Sequence, residues 1–151
     1  MWEDIMRKIN NKIVYIVILL LMFTNTFIYS QNCFQEGFNR LHLSLNDGYG
    51  YSYYDNLNGT LAWGESYIMM ALVKMYKATE DVHYLQVLFD HIDNVISQRD
   101  DNTGRVDYRG VSGPTWAATK YSKNNQPYAW IVHSGMITYP MAELVYLIQK
   151  N

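Results

Sequence analysis

The sequence contains a single cysteine, Cys33, among 151 residues, so no internal disulfide can form. No set of cysteines and histidines has the spacing of zinc ligands, and we predict neither a metal nor any other cofactor. A basic excess is also missing, because 12 Lys and Arg residues face 14 acidic residues and the formal net charge is −2. Since nucleic-acid binding needs a basic surface, we expect no nucleic-acid partner.

Apolar and aromatic residues, in contrast, are plentiful. Hydrophobic residues make up 49% of the sequence and aromatic residues 15%, including 14 Tyr. This length and composition are sufficient for one domain with a hydrophobic core. Tyrosine combines an apolar ring with a hydrogen-bonding hydroxyl, which suits a cleft that binds sugars, although tyrosine also packs in ordinary cores.

The N-terminal segment has the features of an export signal. Arg7, Lys8 and Lys12 precede an apolar run over residues 13–23, which has signal-peptide length and is short for a membrane span. A small residue, Ser30, stands at the expected cleavage point. We therefore predict a signal peptide over residues 1–30 and a secreted or periplasmic protein. The alternative is an uncleaved anchor, through which alone the chain would contact a membrane.

Residues 31–60 are predicted to form an N-terminal arm. The spacing of Phe34, Phe38 and Leu41 indicates a short amphipathic helix. Gly, Asn and Asp residues between positions 46 and 50 mark turns. The tyrosines of segment 49–54 either line a binding surface or pack their rings on the helices.

Residues 61–78 and 82–98 are predicted to form two helices joined by a short turn. In the second, Leu85, Leu88, Ile92 and Val95 recur at three- and four-residue steps, which indicates one buried and one solvated face. The first is apolar on all sides over residues 67–73, so we expect it to be almost fully buried. Asp81 is the predicted N-cap of the second helix.

A long connection over residues 99–130 follows the two helices. It is rich in aromatic residues, so we expect it to be structured and folded onto the helices, with short β pieces around residues 104–108. Residues 131–150 then form a third predicted helix, in which Met141, Leu144, Val145 and Ile148 make an apolar stripe. Pro140 marks either its first turn or a kink.

The third helix repeats part of the first, because Gly64 and the pair Met70–Ala71 recur at a constant offset of 71 residues. The segment 61–150 resembles the α/α-toroid, or six-hairpin, proteins. Their helices commonly end in a Tyr-x-Ala-Thr-x-Asp-x-x-Tyr-Leu pattern, which is represented here by Tyr76, Ala78, Thr79, Asp81, Tyr84 and Leu85. Glu80 stands where that family usually has glycine.

The resemblance implies an all-α fold, a helical hairpin repeat of the α/α-toroid type that is incomplete in residues 61–151 and has a long structured loop. Together with the predicted export signal, it implies an exported carbohydrate-active domain, related to glycoside hydrolases, polysaccharide lyases or uronate epimerases and represented by a fragment. The alternatives are a non-catalytic glycan- or partner-binding helical-repeat protein and a truncated remnant without activity. An odd number of helices leaves the third helix unpaired, which predicts self-association.

The short turn at one end of the hairpin assigns the long loop and the starts of the first and third helices to the opposite end. We expect candidate site residues to converge there. The candidate catalytic residues are Glu65 and Asp107, as an acid/base pair, and His133, as a general base. The candidate substrate-binding residues are Trp63, Tyr108, Arg109, Trp116 and Trp130.

Each candidate also has a structural interpretation. Glu65 can complement the helix dipole, His133 can be a hydrogen-bonded structural histidine, and the tryptophans can pack in the core. Arg109 can form an internal ion pair with Asp107 or Asp101 instead of binding a substrate carboxylate. Asp100 and Asp101 are expected to form a turn. The remaining histidines give no functional signal, and those at positions 83 and 91 are expected at the surface of the second helix.

Overall fold

A computed structural model describes residues 15–23 and 33–150 of the chain, which are mainly helical. The chain divides into two compact units, Met1–Leu41 and His42–Asn151. In the first unit, residues 15–23 are helical, whereas the predicted cleavage point after Ser30 lies outside the described residues. Residues 33–44 form helix α1, so a helix is present where one was predicted, although Phe34 and Leu41 of its predicted apolar side are exposed.

The second unit contains four further α-helices, one 3₁₀ turn, which is wound more tightly than an α-helix, and one π-helical turn, which is wound more widely. In chain order these are a 3₁₀ turn (Asn46–Gly48), a π-helical turn (Leu61–Glu65), α2 (Ser66–Thr79), α3 (His83–Ser97), α4 (Asp100–Thr103) and α5 (Ile131–Lys150). Over the described ranges there is no strand, and the expectation of β pieces near residues 104–108 is wrong. An isolated antiparallel bridge joins Ala118 to Tyr128 instead. The all-α fold class is confirmed, while the toroid-type repeat stays a prediction.

Helix α3 has the predicted amphipathic character. Leu88, Ile92 and Val95 are buried, whereas Asp90 and Asp93 are exposed on the opposite side. The buried stripe faces α2, because the two helices pack against each other across their short connection. Burial of these aliphatic side chains is the main source of stability for such a pair.

Helix α2 is less enclosed than its composition suggests. Met69, Leu72 and Val73 are buried, but Tyr67 is 55% exposed and Lys74 is also exposed. The prediction that α2 is buried on all sides is therefore wrong. Its neighbours are α3, α5 and the π-helical turn, which together cover only part of its circumference.

Two local interactions define the connection between α2 and α3. Glu80 adopts a left-handed conformation with φ 57° and its N–H donates to the Tyr76 carbonyl at 2.7 Å, which ends α2. Asp81 Oδ1 accepts from the N–H of His83, the first residue of α3, at 3.0 Å. The predicted capping contact of Asp81 is thus present.

The long connection is folded onto the helices, as predicted. The indole N–H of Trp116 donates to the Val95 carbonyl of α3 at 2.8 Å. Asp100 Oδ2 accepts from Thr115 Oγ1 and from the Ala117 N–H, both at 2.8 Å. These bonds hold residues 115–117 against the end of α3 and give the buried Asp100 a structural role.

Helix α5 has the predicted limits, and Pro140 lies inside it. It packs on α2 and on the π-helical turn. The predicted apolar stripe is divided, because Leu144 is buried whereas Val145 is 54% exposed. Among the described segments, α5 is long and apolar enough to cross a membrane by length and composition. Self-association through its exposed side stays a prediction.

Candidate functional site

Two separate segments place aromatic rings around His133 of helix α5. Trp63 comes from the π-helical turn, Tyr121 and Trp130 from the long connection, and His133 from the first turn of α5. Trp63 and Tyr121 meet the imidazole edge-to-face, with ring centroids 5.6 Å and 5.4 Å away, and Trp130 lies at 6.4 Å. These four residues and Val132 line a cavity of about 380 Å³, here called the aromatic pocket, and its lining is almost wholly apolar.

Further rings extend the aromatic surface beyond the pocket. Tyr128 lies 5.8 Å from Trp130, and Tyr108 stacks on Tyr128 with centroids 4.3 Å apart and an interplanar angle of 25°. The guanidinium of Arg109 lies 5.6 Å from the Tyr108 ring. We call the series Tyr108, Tyr128, Trp130, Tyr121 and Trp63 the aromatic row. Tyr108, Tyr121 and Trp63 are exposed, so a ligand can reach the row from solvent.

The backbone of Gly59 lies close to two rings of the pocket wall, Trp63 and Tyr121. Its φ is +76°, and a Cβ at this position would lie 2.9 Å from Trp63 Cδ1 and 3.1 Å from Tyr121 Cε2. A side chain here would be strained and would displace one of the two rings. Glycine therefore allows the backbone to approach the pocket wall closely.

Asn56 determines how His133 is presented to the pocket. Asn56 Oδ1 accepts from the Ala62 N–H at 3.1 Å, and Nδ2 donates to the Trp116 carbonyl at 2.8 Å, so the two backbone groups fix which amide atom is nitrogen. The second N–H of that nitrogen points to His133 Nδ1 at 3.1 Å. Nδ1 is therefore an acceptor, and the neutral imidazole carries its proton on Nε2.

The environment keeps His133 neutral. The residue is buried, and this burial lowers the pKa of His133 below its ordinary value. Nε2 makes no hydrogen bond to any described residue, and the ring lines the aromatic pocket. His133 thus offers the pocket an N–H donor, whereas the predicted general-base role would need Nδ1, which already bonds to Asn56.

Glu65 takes part in a buried ion pair. It is 0% exposed, Oε2 accepts from the Tyr51 N–H at 2.7 Å, and Oε1 lies 2.5 Å from His91 Nδ1. His91 Nε2 in turn donates to the Gly48 carbonyl at 2.9 Å. We call Glu65, His91 and these two backbone partners the buried clip. It joins the π-helical turn, α3 and segment 48–51, and it occupies both oxygens of Glu65.

His91 was expected at the surface, and this prediction is wrong, because the residue is only 1% exposed. Burial alone would lower the pKa of His91. The hydrogen bond and the charge of Glu65, assisted by the Gly48 carbonyl and Asp90, outweigh burial and raise that pKa. A signal was available in the sequence, since position 91 is three residues after Leu88 and four before Val95. His83 is exposed, as expected.

Asp107 forms the internal ion pair that was the alternative interpretation of Arg109. Its Oδ2 accepts from Arg109 Nε at 2.8 Å and Nη2 at 2.6 Å, and its Oδ1 accepts from the backbone N–H groups of Arg109 and Val111. The hydrogen bond to the guanidinium lowers the pKa of Asp107. Glu65 bonds to Tyr51 and His91 instead, so each of the two carboxylates is engaged by its own partners inside the protein.

The structure thus separates the predicted site residues into three places. Trp63, Trp130 and His133 lie together in the aromatic pocket. Tyr108, Arg109 and Asp107 lie at the far end of the aromatic row. Glu65 and Trp116 lie in the interior, where Trp116 is 4% exposed. The catalytic assignments stay predictions.

No protein-family model, no curated protein and no solved structure matches this chain. Within residues 15–23 and 33–150, no group of three or more His, Cys, Asp and Glu side chains is arranged to hold a metal ion. The resemblance to the α/α-toroid proteins therefore stays a prediction. The functional argument rests on the geometry of the aromatic pocket and the aromatic row.

Proposed function

We propose that this chain binds carbohydrate through the aromatic row and the aromatic pocket. The observation that carries the proposal is the continuous series of rings from the exposed Tyr108 through the partly buried Tyr128 and Trp130 to the pocket. Sugar rings present faces of C–H groups that pack on aromatic rings, while their hydroxyls stay in water at the edges. Several rings in succession suit an extended ligand such as an oligosaccharide.

The proposal concerns binding without a cleavage step. Glycosidic hydrolysis needs two carboxyl groups that flank the scissile bond. Both oxygens of Glu65 are engaged inside the protein, and both oxygens of Asp107 are engaged by Arg109 and Val111. A carboxylate held in this way is suited to stabilising the fold, so the geometry favours a glycan-binding protein over a hydrolase.

Screening the full chain on a glycan array, followed by titration of the best ligand, tests the proposal. Replacing Trp63 or Tyr128 with alanine should weaken binding by about 1 kcal/mol, or roughly fivefold, which is typical of one aromatic contact. Tyr146→Ala is the matched control, because Tyr146 is an exposed tyrosine on α5 outside the row. A wild-type protein that binds no glycan, or binding that tolerates both row variants, would contradict the proposal.

Export is the second part of the proposal and rests on the basic residues and apolar run that precede Ser30. A secreted or periplasmic location would bring the aromatic row into contact with extracellular or cell-wall glycans. N-terminal sequencing of the protein recovered outside the cytoplasm should begin near Gln31. Recovery of a chain that still begins at Met1 would contradict cleavage.

A further inference from the structure

His133 gives the aromatic pocket a hydrogen-bond donor of fixed direction. Its ring is held through Nδ1 by Asn56, which is itself fixed by the Trp116 carbonyl and the Ala62 N–H. The imidazole therefore cannot turn over without breaking that network. Since Nδ1 is the acceptor of the Asn56 contact, the proton of the neutral ring is on Nε2.

The remaining lining restricts what can enter. It consists of the rings of Trp63, Tyr121 and Trp130 with Val132, and no charged side chain lines the cavity among the described residues. Burying hydroxyl groups against such a surface is costly when they lose their hydrogen bonds to water. The part of a ligand that enters should therefore be mainly apolar and should carry an acceptor, because His133 offers a donor and the buried Trp130 Nε1–H has no hydrogen-bond partner among the described residues.

We propose that the aromatic pocket recognises the acetamido group of an N-acetylated sugar, with its methyl group among the three rings and its carbonyl oxygen on His133 Nε2–H. This inference rests on the proposed function and adds the class of sugar. A cavity of about 380 Å³ lies at the lower end of the range for ligand sites, roughly 300–1,000 Å³, which is adequate for the acetamido group while the hydroxyls of the sugar ring stay towards solvent. Neighbouring units would then lie along Trp130, Tyr128 and Tyr108.

Two other ligand classes fit the pocket less well. Aromatic rings attract quaternary ammonium groups, but such a cation has no acceptor for His133 and would face the positive end of the N–H dipole. The carboxylate of a uronic acid would accept from His133, but no cation is among the residues that line the pocket, and the ammonium group of Lys120 lies on the Tyr121 ring, 5.6 Å from its centroid. Arg109, at the far end of the aromatic row, is already paired with Asp107.

Calorimetric titration of the full chain with four probes tests the inference: the trimer of N-acetylglucosamine, its deacetylated trimer, the glucose trimer and choline. The N-acetylated trimer should bind at least tenfold more tightly than the glucose trimer. His133→Phe keeps an aromatic ring without the donor and should reduce that ratio to about one. Tyr146→Ala, an exposed position outside the aromatic row, should leave the ratio unchanged. Trimers that bind equally to the wild type, or choline as the tightest ligand, would overturn the inference.

A measurement on the unmodified protein covers the case in which His133→Phe fails to fold. In ¹⁵N spectra, the Nε2 resonance of His133 should shift when the N-acetylated trimer binds and not when the glucose trimer binds. An Nε2 resonance that does not respond to the N-acetylated trimer would overturn the inference. Binding of the glucose trimer that depends on Trp63, without any N-acetyl preference, would overturn the inference and leave the proposed function supported. Failure of every trimer to bind would overturn the inference, and a glycan array without any bound ligand would overturn the proposed function as well.

Discussion

Asn56 Nδ2 lies 3.1 Å from His133 Nδ1, and this contact places the imidazole proton on the nitrogen that serves the aromatic pocket. The two residues are 77 positions apart in the sequence. Hydrogen bonds to two backbone groups, the Trp116 carbonyl and the Ala62 N–H, fix the orientation of the Asn56 amide. The amide orientation in turn determines which nitrogen of His133 carries the proton.

Replacing Asn56 with aspartate should move the proton of the neutral His133 ring to Nδ1 and should raise its pKa. A carboxylate accepts from Nδ1 and cannot donate to it, so the pKa of His133 should rise from below its ordinary value, and the Trp116 carbonyl should lose its donor. Loss of a buried hydrogen bond should cost roughly 1–3 kcal/mol of unfolding free energy. Imidazole ¹⁵N spectra recorded against pH report both the tautomer and the pKa of His133.

Asn94→Asp is the control for this substitution, because Asn94 bonds to Ser52. A tautomer and pKa of His133 that stay unchanged in Asn56→Asp would contradict the assignment.

The buried clip should make stability depend on pH. The folded-state pKa of His91 is raised, so the stabilisation it gives is fully present below the unfolded pKa of about 6.5 and is lost as pH rises through the folded pKa. The pKa values of His42 and His133 are lowered, so these two residues change the unfolding free energy with pH in the opposite direction. Both residues stay in the double variant Glu65→Gln/His91→Gln. Burial, the main cause of the lowered pKa of His42, stays as well, while the smaller contribution from the charge of His91 is removed. The difference between the wild type and this variant therefore measures the clip together with its effect on His42.

Urea unfolding of both proteins between about pH 6.5 and 9 measures this difference. The advantage of the wild type over the double variant should shrink as pH rises. An advantage that stays constant or grows over this range would contradict the direction of the His91 shift. Glu65→Gln alone should be strongly destabilising, because one member of a buried ion pair is then left without its partner.

Glu80 adopts a left-handed backbone conformation although it is not a glycine. Because this conformation is unfavourable for residues that carry a Cβ, Glu80→Gly should stabilise the protein by roughly 0.5–1 kcal/mol. The same substitution at Gln86, an exposed position inside α3, should destabilise it by about 1 kcal/mol. Thermal unfolding of the two variants should give shifts of opposite sign. A loss of stability in Glu80→Gly would contradict the proposed role of this helix end.

Periodicity predicted the helices well and their surroundings less well. The apolar steps of α3 gave its limits and its buried face, because each of those contacts repeats along one helix. The exposure of Tyr67 was not predictable in this way. A local apolar run does not show how many neighbours the fold places around a helix, and α2 is only partly covered.

The candidate site was predictable in part for the same reason. The hairpin argument correctly grouped Trp63, Trp130 and His133, because a short turn forces distant segments to one end. It could not separate Trp63 from Glu65, which are two residues apart yet lie in the pocket and the interior respectively. The contact between Asn56 and His133 depends on tertiary packing alone, and no local pattern marks it.

Side-chain indole N–H resonances measured during titration with an N-acetylglucosamine or glucose oligosaccharide test the glycan-binding account most directly. Trp63 and Trp130 line the aromatic pocket, whereas the indole N–H of Trp116 is bonded to the Val95 carbonyl inside the protein and serves as an internal control. The account predicts shifts of the Trp63 and Trp130 signals with an unchanged Trp116 signal. Saturating ligand that leaves Trp63 and Trp130 unshifted, or that shifts only residues of segment 49–54, would contradict it.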